Sequence, residues 1–156
     1  MGEIKRFNKI MYSSMNEKDL DLELVKQRLL DFEGMVLKPY HCSQNYLTIG
    51  VGRNLESNGI TEEEALYLLN NDINEVINKL DKQWPIWRGF PDEAKYVCID
   101  IVFNMGISTW MSFRKTRAYM ELGEWEKAGD ELLNSKYANQ VSRRAMFNSE
   151  KLKSIK

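Results

Sequence analysis

Residues 33–52 read Glu33-Gly34-Met35-Val36-Leu37-Lys38-Pro39-Tyr40-His41-Cys42-Ser43-Gln44-Asn45-Tyr46-Leu47-Thr48-Ile49-Gly50-Val51-Gly52, and the change of period inside this stretch decides the fold. Before it, Leu22, Val25, Leu29 and Phe32 recur at helical spacing with Glu23, Lys26 and Arg28 between them, which predicts a helix ending near Phe32-Glu33-Gly34. Within it, Met35–Tyr40 and Tyr46–Val51 are short, rich in aromatic and β-branched residues, and separated by the turn-prone Cys42-Ser43-Gln44-Asn45. That pattern predicts a hairpin or small antiparallel sheet, with Pro39 marking an edge strand and Gly50 and Gly52 a bulge or a close backbone approach.

Outward from this stretch the chain is helical. Glu56-Ser57-Asn58-Gly59 reads as a loop, and Thr61-Glu62-Glu63-Glu64 as a capping box. Ala65, Leu69, Ile73, Val76, Ile77 and Leu80 then lay one apolar stripe along a helix long enough to join two lobes. Pro91-Asp92 opens a helix whose Ala94, Val97, Cys98, Ile101, Val102 and Met105 are almost continuously apolar, stopped by Gly106. Shorter helices are predicted at 113–122, 125–133 and 142–152. The expectation is an α+β, mostly helical chain. Residues 1–18 form a polar N-terminal extension and residues 19–156 a single domain: a small lobe at 19–60, a connecting helix at 61–82 and a helical lobe at 83–156. Ile4, Phe7, Ile10 and Met11 fit either one amphipathic turn or a frayed terminus, the plainer reading.

Composition narrows the function classes. The chain has 156 residues with 22 Lys+Arg against 23 Asp+Glu, so it lacks the cationic excess that non-specific nucleic-acid binding requires. Two cysteines and one histidine, at spacings that match no zinc motif, argue against a metal centre; neither metal nor cofactor is expected. No segment approaches the ~18–20 apolar residues of a membrane span, and Met1–Asp19 lacks the apolar core of a signal peptide. The chain is therefore expected to stay in the cytoplasm of its producer, with Cys42 and Cys98 as free thiols. Acidic residues gather at 56–75 and basic ones at 136–156. Solvated helix faces explain this; a basic lobe docking on an acidic polymer is the functional alternative.

Glu33 is oddly placed, at a helix C-terminus beside an apolar run. The macrodipole and desolvation there both favour a protonated carboxyl, which is what a general acid for glycoside cleavage needs. On the pattern alone, a surface carboxylate before a glycine cap is the plainer reading. Cys98, mid-stripe on an apolar helix, reads as core.

The order of motifs goes further. Glu33, then Cys42 after eight residues, Thr48 after five more, and Ile49-Gly50-Val51-Gly52 resemble the active-site segment of the phage-type lysozymes, the T-even family of glycoside hydrolases. The resemblance extends through Gly59-Ile60-Thr61-Glu62-Glu63-Glu64-Ala65, Val102-Phe103-Asn104-Met105-Gly106, Gly123-Glu124-Trp125-Glu126-Lys127-Ala128 and Asn139-Gln140-Val141-Ser142-Arg143-Arg144-Ala145. It implies a lysozyme-like fold, a small lobe with a short antiparallel sheet and a helical lobe joined by a long helix. It also implies cleavage of the β-1,4 bond between N-acetylmuramic acid and N-acetylglucosamine in peptidoglycan.

By the same resemblance Glu33 is the general acid, Thr48 helps hold the attacking water, and Cys42 stands at the second catalytic position. T-even members carry Asp there; many phage endolysins carry Cys. Arg144 resembles the arginine that pairs with the acid, and Gln44, Phe103, Asn104, Thr116 and Tyr137 fall at substrate-lining positions. Departures are the short Arg53–Gly59 connection, and Arg53 and Tyr137 where the T-even type has His and Trp. Cys42 has three available roles: a thiolate beside positive charge, a water-orienting group, or a nucleophile. Family precedent favours an inverting, water-based reaction. Adjacent strand residues point to opposite faces, which disfavours a His41–Cys42 pair.

The resemblance further implies an endolysin that waits in the host cytoplasm until a holin, without touching it, opens the way to the periplasm and cell wall, and that acts as a monomer. Alternatives are a tail-associated lysozyme, an inactive peptidoglycan-binding module, and a non-lytic helical interaction protein.

Overall fold

The computed structural model describes residues 20–156; the readings made for residues 1–18 lie outside them. The described chain falls into two compact units, divided between Thr61 and Glu62.

The first unit opens with helix α1 (Leu22–Glu33). Asp21 caps it by accepting from the Leu24 N–H, and Gly34, at φ 69°, ends it by donating to the Leu30 carbonyl. Strands β1 (Val36–His41), β2 (Leu47–Gly50) and β3 (Arg53–Asn54) follow as an antiparallel sheet in the order β1-β2-β3. Pro39 therefore lies on an edge strand, in the stretch where the pairing register shifts. Tyr40 pairs with Thr48 and His41 with Leu47, and the register shifts between Val36 and Tyr40. Residues 53–59 are not a plain loop. After β3 comes a one-turn helix, α2 (Leu55–Asn58), because Asn54 accepts from the Ser57 N–H and Gly59, at φ 55°, closes it. Caps at both ends outweigh the turn-like composition of residues 56–59.

The second unit is wholly helical: α3 (Glu62–Gln83), a 3₁₀ turn (Pro85–Gly89), α4 (Asp92–Met105), α5 (Ile107–Ser112), α6 (Arg114–Glu121), α7 (Trp125–Leu133), α8 (Lys136–Gln140) and α9 (Ser142–Lys153). The long helix α3 clusters with this unit. Helices α5 and α8 are additions to the sequence reading; at six and five residues they are too short to carry a periodic signal.

Leu80, Trp87, Cys98, Ile101, Trp110 and Leu132 are fully or almost fully buried in the core of this unit. Removing each such side chain from water contributes about 1.5–3 kcal/mol. Trp84 packs edge-on against Phe90 and Trp110, with centroids 5.2 and 5.5 Å apart, and its indole N–H donates to Glu121 at 2.5 Å. The Trp87 indole donates to Asp81, which also takes a two-pronged ion pair from Arg88. No described helix is long and apolar enough to cross a membrane.

Candidate active site

Two groups of expected residues take shape, one in each unit.

In the first unit the β1–β2 turn builds a cradle around Cys42. The Asn45 N–H donates to the Cys42 carbonyl at 2.8 Å, and the Cys42 N–H donates to the Tyr46 carbonyl at 3.0 Å. Asn45 adopts φ 65°, a left-handed conformation that Asn tolerates better than most side chains. The tight reversal aims the backbone N–H groups of Tyr46 and Gln44 at the thiol, and together with the neighbouring Thr48 hydroxyl they hold its pKa below the ordinary cysteine value. Donors directed at sulfur favour the thiolate, whereas the slight burial of the group works the other way.

Thr48 is the one buried polar residue among the described residues of this unit. Its hydroxyl donates to the Tyr46 carbonyl at 2.9 Å and also lies within hydrogen-bonding reach of Cys42. The Tyr46 carbonyl and the Cys42 sulfur compete for this one hydroxyl proton, while the hydroxyl oxygen can accept a hydrogen bond from a water. Gln44 sits in the turn with its side chain exposed. His41 turns away, its Nδ1 3.4 Å from the Asn45 carbonyl oxygen, in keeping with strand alternation.

Glu33, the last residue of α1, meets the same sheet at Gly52. A Cβ built on Gly52 would stand 2.8 Å from Glu33 Oε2, and Gly52 has φ 69°. Glycine at position 52 therefore meets two demands: a left-handed backbone and room for a carboxylate.

In the helical unit Arg144, expected to support the acid, forms an ion pair with Asp100. Its Nε donates to both carboxylate oxygens, at 3.0 and 2.8 Å, and its Nη2 donates to Oδ1 at 2.6 Å. Asn148, buried, donates to Asp100 Oδ2 at 2.7 Å and to the Tyr137 hydroxyl at 3.0 Å. Burial alone would raise the Asp100 pKa; the hydrogen bonds from Arg144 and Asn148 outweigh it, and the group titrates below the usual carboxylate value. The same carboxylate pushes Arg144 up. Tyr137 is fully buried, and burial pushes its phenol up.

Phe103 and the Asp100–Arg144 pair line one groove of about 320 Å³, walled also by Tyr96 and Ile99. Thr116 is buried and opens onto a different, polar pocket at the start of α6. Asn104 is exposed on α4.

Asp100 and Asn148 were absent from the sequence reading. A signal existed for Asp100: it is a carboxylate embedded in the apolar run from Val97 to Met105, and buried charges are held by partners. For Asn148 there was none, since its partners lie 11 and 48 residues away in the chain. Cys98 is core as expected, and burial pushes its thiol far up.

The chain is similar in sequence to known proteins. The pre-baseplate central spike protein Gp5 of Enterobacteria phage T4 is 27% identical over 141 residues, covering 72% of this chain and 24% of Gp5. The chain thus spans about a quarter of that relative. Probable T4-type lysozyme 1 of Dictyostelium discoideum is 23% identical over 150 residues, covering 78% of this chain and 88% of that protein. The family model for phage lysozyme matches residues 30–148, from the end of α1 through Asn148, and the chain belongs to the phage lysozyme family.

Proposed function

We propose that this lysozyme-type hydrolase cleaves the β-1,4 bond between N-acetylmuramic acid and N-acetylglucosamine in peptidoglycan. Glu33 donates a proton to the leaving glycosidic oxygen. Cys42 and Thr48 hold a water on the opposite face of the sugar, and the Cys42 sulfur faces the positive charge that develops on the ring. The observation that carries this reading is the convergence at one sheet: the donors around Cys42, the Thr48 hydroxyl beside it, and the Glu33 carboxylate against Gly52. Arg144, its guanidinium held by Asp100, is the proposed supporting group for the acid. Gln44, Phe103, Asn104, Thr116 and Tyr137 are the proposed saccharide and peptide contacts.

In biological terms the reading is an endolysin. It accumulates in the host cytoplasm, reaches the cell wall after a holin opens the inner membrane, and works as a monomer. The match to the Gp5 spike favours a second reading, a tail-associated lysozyme. Peptide mass spectrometry of purified virions separates the two, because only the second use places the chain in the particle.

The test of the chemistry is clearing of outer-membrane-stripped Gram-negative cells together with release of reducing ends. Glu33→Gln keeps the shape of the side chain but has no proton to give, so the loss is about 10²–10⁴-fold. Lysis by a folded Glu33→Gln protein within a few-fold of wild type removes the assignment.

A further inference from the structure

The hairpin that carries Cys42 and Thr48 places two tyrosines beside them. The register pairs Tyr40 with Thr48 and His41 with Leu47. The same count sets Cys42 opposite Tyr46, whose carbonyl accepts from the Cys42 N–H at 3.0 Å. Directly opposed residues of antiparallel strands share a face, and so do residues two apart along one strand. Tyr40, Cys42, Tyr46 and Thr48 therefore form a square on one face, with Cys42 and Thr48 on one diagonal and the two tyrosines on the other. The hydrogen bond between the Thr48 hydroxyl and the Cys42 thiol runs along the first diagonal.

Side-chain length gives this square its relief. Cysteine and threonine are short and tyrosine is long, so the Cys42–Thr48 diagonal is a floor and the two rings are its rims. Thr48, on the floor, is 4% exposed, whereas Tyr46 is 44% exposed and Tyr40 is half-buried. Neither phenol hydroxyl has a hydrogen-bond partner among the described residues, and neither ring stacks there on another ring or on a cation. An exposed tyrosine is ordinary by itself. What sets Tyr46 apart is the polar pair beside it, on the same face. A ring with one wet face and a free polar tip suits a partner that is apolar on its flat side and hydroxylated at its edge.

We propose that Tyr46 and Tyr40 form a saccharide platform that holds the sugar ring bearing the reacting carbon. The inference rests on the peptidoglycan reading and deepens it, adding two binding residues to that site. A β-linked N-acetylhexosamine carries its hydroxyls and its N-acetyl group around the rim of the pyranose, so the flat sides of the ring are C–H surfaces. One of these packs on the Tyr46 ring, while the phenol tip takes up a hydroxyl or the N-acetyl carbonyl. Tyr40 supports the same sugar from the other rim. The floor between them stays open for the water that Cys42 and Thr48 hold beneath the reacting carbon.

Two measurements on the full chain test this. In steady-state cleavage of peptide-free glycan strands, Tyr46→Ala is expected to raise KM about tenfold without a matching fall in kcat, because the ring holds ground state and transition state alike. Tyr46→Phe, which keeps the ring, recovers most of this loss. Tyr46→Leu, apolar but without an aromatic face, does not, and Tyr40→Ala raises KM by a smaller factor. The second measurement needs no turnover. Tri-N-acetylchitotriose is expected to slow alkylation of Cys42 severalfold in the wild type and in Tyr46→Phe, but not in Tyr46→Leu. An unchanged KM in Tyr46→Ala, a loss confined to kcat, equal behaviour of the Phe and Leu variants, or no protection of Cys42 in the wild type overturns the proposal. Tyr46-dependent protection without glycan cleavage keeps the platform and removes the enzyme. Cleavage in which neither KM nor protection depends on Tyr46 removes the platform alone.

Discussion

The carboxylate of Glu33 lies where a side chain at position 52 would begin, so that the acid at the end of α1 rests on a glycine of the sheet. This relationship ties two positions 19 residues apart, and it makes Gly52 a direct neighbour of the proposed acid. Gly52→Ala must move the carboxylate and also hold φ near 69° with a Cβ, which costs about 1–2 kcal/mol for an L-residue. The expected result is a folded protein with modestly lowered stability and at least about a tenfold loss of reducing-end release, equal to about 1.4 kcal/mol of barrier. Full activity in Gly52→Ala would separate Glu33 from the chemistry.

Cys42 titrates below the ordinary thiol value because the Tyr46 and Gln44 N–H groups point at it. Its alkylation rate is accordingly expected to rise with a midpoint below that of an ordinary exposed thiol, while buried Cys98 stays unmodified in the folded protein. Alkylation should inhibit the wild type and leave Cys42→Asp untouched. Mass mapping of the labelled protein at several pH values checks both statements, and a midpoint at or above that of the same cysteine in an unfolded reference peptide contradicts the cradle.

The role of the thiol is separable by substitution. Cys42→Asp is expected to stay active, since a carboxylate both orients water and faces positive charge. Cys42→Ala is expected to lose at least about tenfold. The product should be the inverted α-anomer, read by NMR immediately after cleavage. A β-anomer, or a glycosyl adduct on Cys42, establishes a covalent route in place of the water-based one.

The Asp100–Arg144 pair has a defined pH signature. Asp100 has a lowered folded pKa, so its contribution to stability is full above the unfolded value near 3.9 and is lost as pH falls through the folded one. Asp100→Ala should cost about 1.5–3 kcal/mol at neutral pH, the range for hydrogen bonds to charged groups, and markedly less at the lowest pH at which the fold survives. Urea melts at the two pH values measure this. If Arg144→Ala lowers stability while leaving activity and its pH profile unchanged, the proposed support of Glu33 is excluded.

Gly129 records a close helix crossing. A Cβ there would stand 2.8 Å from Lys153 Cγ and 2.9 Å from the Ser149 carbonyl oxygen, the backbone of α9. The Ser149 hydroxyl also donates to the Gly129 carbonyl at 2.9 Å, locking α7 onto α9. Gly129→Ala is expected to cost about 1–3 kcal/mol through overpacking, despite the better helix propensity of alanine. Thermal denaturation should show a fall of several degrees; an unchanged or raised Tm contradicts the packing.

The sequence by itself determined the alternation of helix and strand and the positions of most caps. Gly34 ends α1, the 43–45 turn separates the strands, and Gly106 ends α4, because these depend on local backbone preference and on apolar period. It also placed Glu33, Cys42 and Thr48 in one short segment, where the β-hairpin brings Cys42 to Thr48 almost automatically. Tertiary structure decided what local rules do not carry. The capped turn Leu55–Asn58 and the short helices Ile107–Ser112 and Lys136–Gln140 are too brief to show a period. The Asp100 partner of Arg144 lies 44 residues away on α4, and Asn148 meets Tyr137 across the bend between α8 and α9, where only packing sets the distance. The seat of Glu33 on Gly52 is of the same kind, since a glycine in sequence announces freedom and only the fold says what fills the space it leaves.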